Sequence, residues 1–429
     1  MAENHPDNSD VWLAAGVRTP FVKVDGALAK YDAIGLSVPV VRAMIAQLGG
    51  ANPDFAVWGS VVPNLTWSNL AREVLMEAGV SPSITAFSTI MACSTSMIGV
   101  FEAAGMIDGN SRKLALVGGV ESMSRVQVGL GVTLSDWLRK LTTARTMGEK
   151  VKQIGKLRLA DVKLYIPAVT NRTTGMSMGE HTEITAKEWQ IPREAQDQSA
   201  LESHQHSVAG WERGFFDDLV IPVGDVKRDG IPRKDTSFEK LSKLPPAFDR
   251  KSGKGTLSAG NSSPLTDGAA AIWVGSLEGL ESLPSSIPRV RLVDWEIASI
   301  DFRVEGLLMA PAFAIPRLLA RRGLSYRDVD LWEIHEAFSA QVLFHIKALE
   351  DERFLREKVG IARSFGSFPR DRVNPNGGSV ALGHPFGATG ARILSQTVKE
   401  LAARPAGSRA IVSICADGGQ GSVALLEAG

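Results

Sequence analysis

Chemistry-bearing side chains are scarce in this chain: two cysteines, three tyrosines and seven histidines in 429 residues. Cys93 and Cys415 stand 322 positions apart. Two thiols cannot build a disulfide framework or a cysteine-rich zinc module, and free thiols suit a reducing compartment. Net charge is also missing, because 47 Lys and Arg balance 47 Asp and Glu. Neutrality excludes the global positive field of a nucleic-acid binder. It leaves little repulsion between copies, so self-association is expected. No run approaches the roughly 18 consecutive apolar residues of a transmembrane segment. Met1–Asp10 lacks the basic and apolar regions of a secretory signal and the arginines of a transit peptide. It reads as a short frayed tail on a cytoplasmic protein.

What is present is ordinary globular material, 44% hydrophobic and 22% charged. At roughly 150 residues per domain, the length suggests three domains or one two-halved unit. Short apolar runs at Val11–Ala15, Ala56–Trp58, Leu114–Val117, Leu331–Ile334 and Ala410–Ile414 predict buried strands. Asn69–Ala78, Ser94–Ile107, Ala310–Arg321 and Ala391–Ala402 predict helices between them. Such alternation indicates α/β layers with partly parallel sheets. Pro53–Trp58 weakly echoes Arg327–Trp332, with Asp and Trp in register, which suggests two related halves.

From about 125 to 263 the alternation breaks down. Eight basic residues crowd Arg139–Lys163, with Val151, Ile154 and Leu157 at helical spacing among them. This is either a solvated helix covering an edge or a surface for phosphate-bearing ligands, an acidic partner or a membrane.

Four places could carry chemistry. Cys93 follows the strand-like Ser83–Met91 and precedes a helix, so its sulfur lies near a helix N-terminus. The partial positive charge there favours thiolate, the nucleophilic form; the other reading is an inert buried thiol. His335 ends a strand, where active-site residues of α/β sheets gather. His335-Glu336 lacks the second histidine of a zinc-protease helix, so no metal is expected. Asn374–Arg392 holds five glycines around His384, which permits tight turns and close approach to a ligand. Ile414–Gly421 places Cys415 on a second glycine-rich turn. Two thiols and two imidazoles at strand ends suit nucleophilic catalysis with proton shuttling. His204 and His206, in a polar helical stretch, read as surface residues.

Taken together, these motifs resemble the thiolase family (acetyl-CoA acyltransferases) from Arg18-Thr-Pro-Phe21 to the C-terminus. Gly118-Gly-Val-Glu-Ser-Met-Ser124 and Ala259–Ala269 resemble family signatures as well. His335-Glu-Ala-Phe338 is most similar to the β-subunits of trifunctional enzymes of fatty-acid oxidation. The resemblance implies an α/β fold of two homologous βαβαβαββ halves in a five-layer αβαβα sandwich. The first half would span residues 1–124, completed by about 264–284; an inserted loop domain would span 125–263 and cover CoA and substrate; the second half would span 285–429.

It also implies a 3-ketoacyl-CoA thiolase, with CoA as co-substrate and no permanently bound cofactor. Cys93 would be the nucleophile, His384 its base and Cys415 the acid that quenches an acetyl-CoA enolate. His335 and His384 would hold the enolate oxygen. Backbone N–H groups of Cys93 and Asp417 would form a second oxyanion hole. Ser263, Met178 and Ala259 would contact substrate or CoA, and Ser177 replaces a histidine of some relatives. The carboxylate of Asp417 is expected to raise the pKa of Cys415 if it points inward. A homodimer or homotetramer, and a hydratase/dehydrogenase α-subunit, are the implied partners. A ketoacyl synthase is disfavoured, because those enzymes typically lack the second cysteine.

Overall fold

The computed structural model describes residues 11–109, 112–165 and 167–429. The N-terminal tail considered above lies outside them. Strands β1 (Trp12–Ala14), β2 (Phe55–Gly59), β3 (Thr85–Phe87), β4 (Leu114–Glu121), β5 (Thr266–Gly275), β6 (Arg289–Ser299), β7 (Leu331–Ile334), β8 (Arg409–Ala416) and β9 (Gln420–Ala428) run in the spatial order β7-β8-β9-β6-β1-β5-β4-β2-β3. The short pair Val22–Lys23 adds to β5.

Strand directions reveal the two halves. In the first, β2 is parallel to β4, β4 antiparallel to β5, and β5 antiparallel to β1. In the second, β7 is parallel to β8, β8 antiparallel to β9, and β9 antiparallel to β6. The halves join where β1 pairs antiparallel with β6.

The echo therefore lies on equivalent strands, but its register is off by two residues. Asp54 N donates to Leu114 O, and Leu114 N donates back to the Asp54 carboxylate. Asp330, not Asp328, repeats this exchange with Arg409. A shift of two keeps every side chain on its face, because strands have a side-chain period of two, so the apolar pattern alone could not detect it.

Helices fill the layers. The Asp32-capped α1 (Ala33–Ala46) and the Asn69-capped α2 (Leu70–Ala78) pack outside the first half, against Ala56, Trp58, Leu116 and Trp273. Here α4 (Val132–Thr143), α5 (Met147–Ile154), α6 (Met178–Glu188) and α7 (Arg193–Glu212) denote the longer helices of the inserted segment, which also holds the single turn Phe238–Ser242. Helices α8 (Ala310–Arg321) and α9 (Ser339–Glu350) pack outside the second half, against Trp332, Ile411 and Val423. Between the sheets lie α3 (Thr95–Asp108) and, after the short α10 (Ser379–Leu382), α11 (Thr389–Ala402). Met97, Val100, Ile393 and Leu394 meet Val57, Val117 and Val412 there. Each such fully buried side chain contributes about 1.5–3 kcal/mol. The result is the αβαβα sandwich.

One departure from the expected halves is local. The third strand of the second half shrinks to a parallel bridge between Trp332 and Val373. Pro369 and Pro375 flank it, and proline has no N–H to give a ladder. Asn374 turns the chain away with φ 47°.

The central layer also creates the site. A Cβ on Gly390 would sit 2.4 Å from Met97 N, so only glycine lets the N-terminal ends of α3 and α11 touch. Ala391 N donates to Ser96 Oγ at 2.8 Å across this contact. The turns just before both helices carry Cys93 and His384.

Candidate active site

Cys93 lies on the 3₁₀ turn Ala92–Ser94 that opens α3. Its neighbour Ala92 has φ 45°, a sparsely populated region for a residue with a Cβ. Thr95 holds the turn: its hydroxyl donates to Ala92 O at 2.7 Å and accepts from Met91 N at 2.9 Å. Strain held this way keeps the sulfur aimed into a cavity of about 280 Å³. Val61, Leu265, Phe338 and Phe386 give its walls an apolar character, and His384, Ser263, Met178 and Asp417 also line it. Pro167–Thr170 of the inserted segment closes one side. A larger depression of about 600 Å³ lies between α7 and α9, behind Glu336, and contains no thiol.

Two imidazoles converge on Cys93. Donor atoms of Cys93, His335 and His384 all lie within 4.8 Å of one another, and the two rings are 4.3 Å apart between centroids. One thiol and two imidazoles are the groups here that could hold a soft cation, and they equally form a proton-transfer set. His335 continues β7, with its N–H donating to Ser413 O of β8 at 2.8 Å. Thr266 Oγ1 of β5 accepts from His384 N at 2.8 Å.

The tautomer of His384 follows from its neighbour. Thr389 Oγ1 donates its single hydrogen to Pro385 O at 2.9 Å, so it accepts from His384 Nδ1–H at 2.7 Å. Nε2 then carries a bare lone pair and has no partner among the described residues. Burial, aided by the Arg392 charge, pulls His384 down to about 3, so it is neutral. Burial, then His384 and Arg392, hold His335 well below its ordinary value.

The thiol departs from expectation. Burial pushes Cys93 up to about 12; the Asp417 carboxylate adds to the rise, and backbone N–H groups of Cys93 and Asp417 oppose it. A tenfold change in ionisation is about 1.4 kcal/mol, whereas a helix N-terminus supplies about 0.3–1 kcal/mol. Desolvation wins, and the resting pair is neutral thiol plus neutral imidazole. In the ligand-free protein, iodoacetamide labelling of the Cys93 peptide is expected to be slow near neutrality. Its rate should climb about tenfold per pH unit up to about pH 10. A plateau between about pH 6 and 8, read by mass spectrometry, would mean that the thiolate forms already at rest.

Cys415 is buried at the end of β8, and burial, then Cys93, push it well above its ordinary value. The carboxylate of Asp417 acts on Cys93 rather than Cys415. It accepts from Asn171 Nδ2 at 2.8 Å, which ties the inserted segment to the Cys415 turn. Ser177 caps α6 in a capping box with Glu180, so its hydroxyl serves the helix, and Met178 follows into the cavity wall. Ser263 Oγ donates to Ala337 O at 2.9 Å beside the cavity. Ala259 is exposed and does not line it.

Other expectations need correction. His204 is buried, 5% exposed, with Nδ1 accepting from Arg233 N at 3.3 Å; burial and the Arg233 charge lower it to about 4. His206 is half-buried against Asn374 O. Polar neighbours in sequence hid the face of α7 that turns inward. The basic stretch forms two helices, α4 and α5, and its apolar Met147, Val151 and Ile154 are exposed.

Glu121 was given no role above. Its buried carboxylate accepts from Ser60 Oγ, Val61 N, Val62 N and Gly387 N at 2.8–3.1 Å. It thereby holds two cavity loops, and among the described residues it makes no ion pair. Nearby, a Cβ on Gly119 would lie 2.0 Å from Gly387 O, so the His384 loop rests directly on β4. A buried acid inside a glycine-rich run was the only available signal.

Comparison with known proteins agrees with this architecture. The family models "Thiolase, N-terminal domain" and "Thiolase, C-terminal domain" match residues 11–277 and 287–428. A 3-ketoacyl-CoA thiolase of Yersinia enterocolitica is 37% identical over 423 residues, covering 97% of this chain and 96% of that protein. A solved thiolase from Ascaris suum in complex with coenzyme A superimposes with a TM-score of 0.77 at 28% identity, covering 98% of this chain and 100% of that one. The Bacillus anthracis acetyl-CoA acetyltransferase gives 0.79 at 29% identity, covering 97% and 98%. With both family models spanning nearly the whole length and the two-halved sandwich beneath them, the chain belongs to the thiolase family.

Proposed function

We propose that this thiolase cleaves 3-ketoacyl-CoA with CoA, yielding acetyl-CoA and an acyl-CoA two carbons shorter, as in fatty-acid β-oxidation. The observation that carries the proposal is the convergence of Cys93, His335 and His384 within 4.8 Å beside an apolar cavity.

The steps balance as follows. Cys93 Sγ attacks the 3-keto carbon as its proton passes to the bare Nε2 of His384. Since the thiol is neutral at rest, transfer accompanies attack. The oxyanion at C3 meets the backbone N–H groups of Cys93 and Asp417. The C2–C3 bond then breaks, leaving an acyl-Cys93 thioester and the enolate of acetyl-CoA. His335, and His384 now protonated, donate to the enolate oxygen, and Cys415 gives its proton to C2. Preorganised donors of this kind contribute roughly 3 kcal/mol each. CoA enters and loses its thiol proton to the Cys415 thiolate. Its sulfur takes the acyl group, and Cys93 recovers its proton from His384.

Residues 1–124 with about 264–284, and 285–429, serve as the two catalytic halves, and 125–263 covers CoA and substrate. The lining by Pro167–Thr170 and Met178 supports that cover; Ser263 and Met178 contact the pantetheine arm. No cofactor is permanently bound. The trifunctional β-subunit type, with a hydratase/dehydrogenase α-subunit, rests on His335-Glu-Ala-Phe338 and the exposed basic helices α4 and α5. Homodimers or homotetramers fit a chain without net charge, and a cytoplasmic setting fits its two free thiols. Among the described residues no helix is long and apolar enough to cross a membrane.

The deciding assay offers acetoacetyl-CoA and a long-chain 3-ketoacyl-CoA, each with and without CoA. CoA-dependent formation of acetyl-CoA is expected. Absence of cleavage with both substrates would overturn the reading.

A further inference from the structure

A guanidinium is buried behind the site, and the mechanism above does not use it. Arg392 is 2% exposed, on α11. Burying a charge without a close counter-ion is costly. Yet its single hydrogen-bond partner among the described residues is Ser379 Oγ, reached from Nη2 at 2.6 Å, and its Nε has none. Glu333 and Glu336 act on it only through their charge. A residue that merely filled this space would be apolar.

Ser379 Oγ also lies 2.9 Å from His335 Nδ1. Arg392 can only donate, so it occupies an oxygen lone pair of Ser379. Among the described residues the hydroxyl hydrogen then has one hydrogen-bond acceptor, His335 Nδ1. If Nδ1 carried the proton instead, the hydroxyl hydrogen would be left buried without a partner. His335 is therefore an Nε2–H donor, and that Nε2 has no partner among the described residues and faces His384 and Cys93.

The same helix sets the other imidazole the opposite way. Thr389 holds His384 as the Nδ1–H tautomer with Nε2 bare. Thr389 and Arg392 are three residues apart, on one face of α11.

We propose that Arg392, acting through Ser379, is a positioning residue that fixes His335 as an Nε2–H donor toward the reacting oxygen. One turn of α11 thus makes one histidine a donor and its neighbour an acceptor. The inference rests on the roles proposed for His335 and Cys93, and it adds what enforces them.

The test is Ser379→Ala, which deletes the relay and keeps the Arg392 charge. Thiolysis kcat is expected to fall roughly 10–100-fold, the scale of a lost orienting partner and below the roughly 10²–10³-fold of a lost oxyanion donor, with KM within about twofold. Acyl transfer from pre-acylated Cys93 to CoA should persist, because it uses the backbone N–H groups. In ¹⁵N-histidine NMR, His335 should lose its Nε2–H signature. Arg392→Lys, which can still donate to Ser379, should retain more activity than Arg392→Met, which cannot, and the pair replaces the alanine variant if that one fails to fold. Wild-type kcat together with an unchanged His335 spectrum in Ser379→Ala would overturn the relay. If His335→Ala also cleaves at the wild-type rate, the site assignment falls instead.

Discussion

Cys93→Ala is expected to abolish thiolysis, lowering kcat by roughly 10⁴-fold or more, the scale on which loss of a covalent nucleophile acts. The size follows from the chemistry. Without the sulfur there is no acyl-enzyme, and CoA would have to attack the ketone directly. The bare Nε2 of His384 would then have no positioned thiol to deprotonate. Substrate affinity should change little, because the cavity walls come from Val61, Leu265, Phe338 and Phe386. The measurements are steady-state thiolysis and mass spectrometry of the protein after incubation with acetyl-CoA. Wild type should gain one acetyl group on the peptide bearing Cys93, and the variant none. Residual turnover within about tenfold of wild type would remove the covalent mechanism.

How much of this was legible in the sequence depends on the range of the force involved. Local patterns succeeded where a helix is apolar along most of its length. Helix α8 spans Ala310–Arg321, as its pattern predicted, and the Cys93 turn opens α3 where Ser94–Ile107 predicted a helix. Failures have long-range causes. His204 is buried because other elements cover its face of α7, which its polar sequence neighbours could not reveal. The echo of the halves slipped by two because strand periodicity is blind to even shifts. The ionisation of Cys93 was misjudged because its turn shows the helix dipole, while the desolvating walls come from distant segments. Ser379 and Arg392 sit within the glycine-rich stretch that drew attention to His384. Their partnership with His335 exists only after β7 and α11 meet.

Cys415→Ala is expected to separate the two half-reactions. Cys415 is buried at a strand end, and its thiol is held well above the ordinary value by burial and by Cys93. Such a thiol keeps its proton at neutral pH, which makes it an acid in waiting. The enolate released on C–C cleavage is a strong base at carbon and needs that proton before it can leave as acetyl-CoA. Transfer of an acyl group between CoA and Cys93 makes a lesser demand on Cys415, because a CoA thiolate is a good leaving group even when Cys415 is not there to return its proton. Thiolysis by the variant should therefore fall roughly 10²–10⁴-fold, the usual contribution of a general acid. Acetylation of Cys93 by acetyl-CoA should stay within about threefold of wild type, because the acyl-transfer groups His384 and the backbone N–H groups remain. Exchange of the acetyl-CoA methyl hydrogens with deuterated water should vanish, since that exchange is the enolate step run backwards. Equal loss of acetylation and thiolysis would mean that Cys415 supports Cys93 structurally. Unchanged thiolysis would assign the proton to another group, and His384, once protonated beside the enolate, is the one placed to supply it.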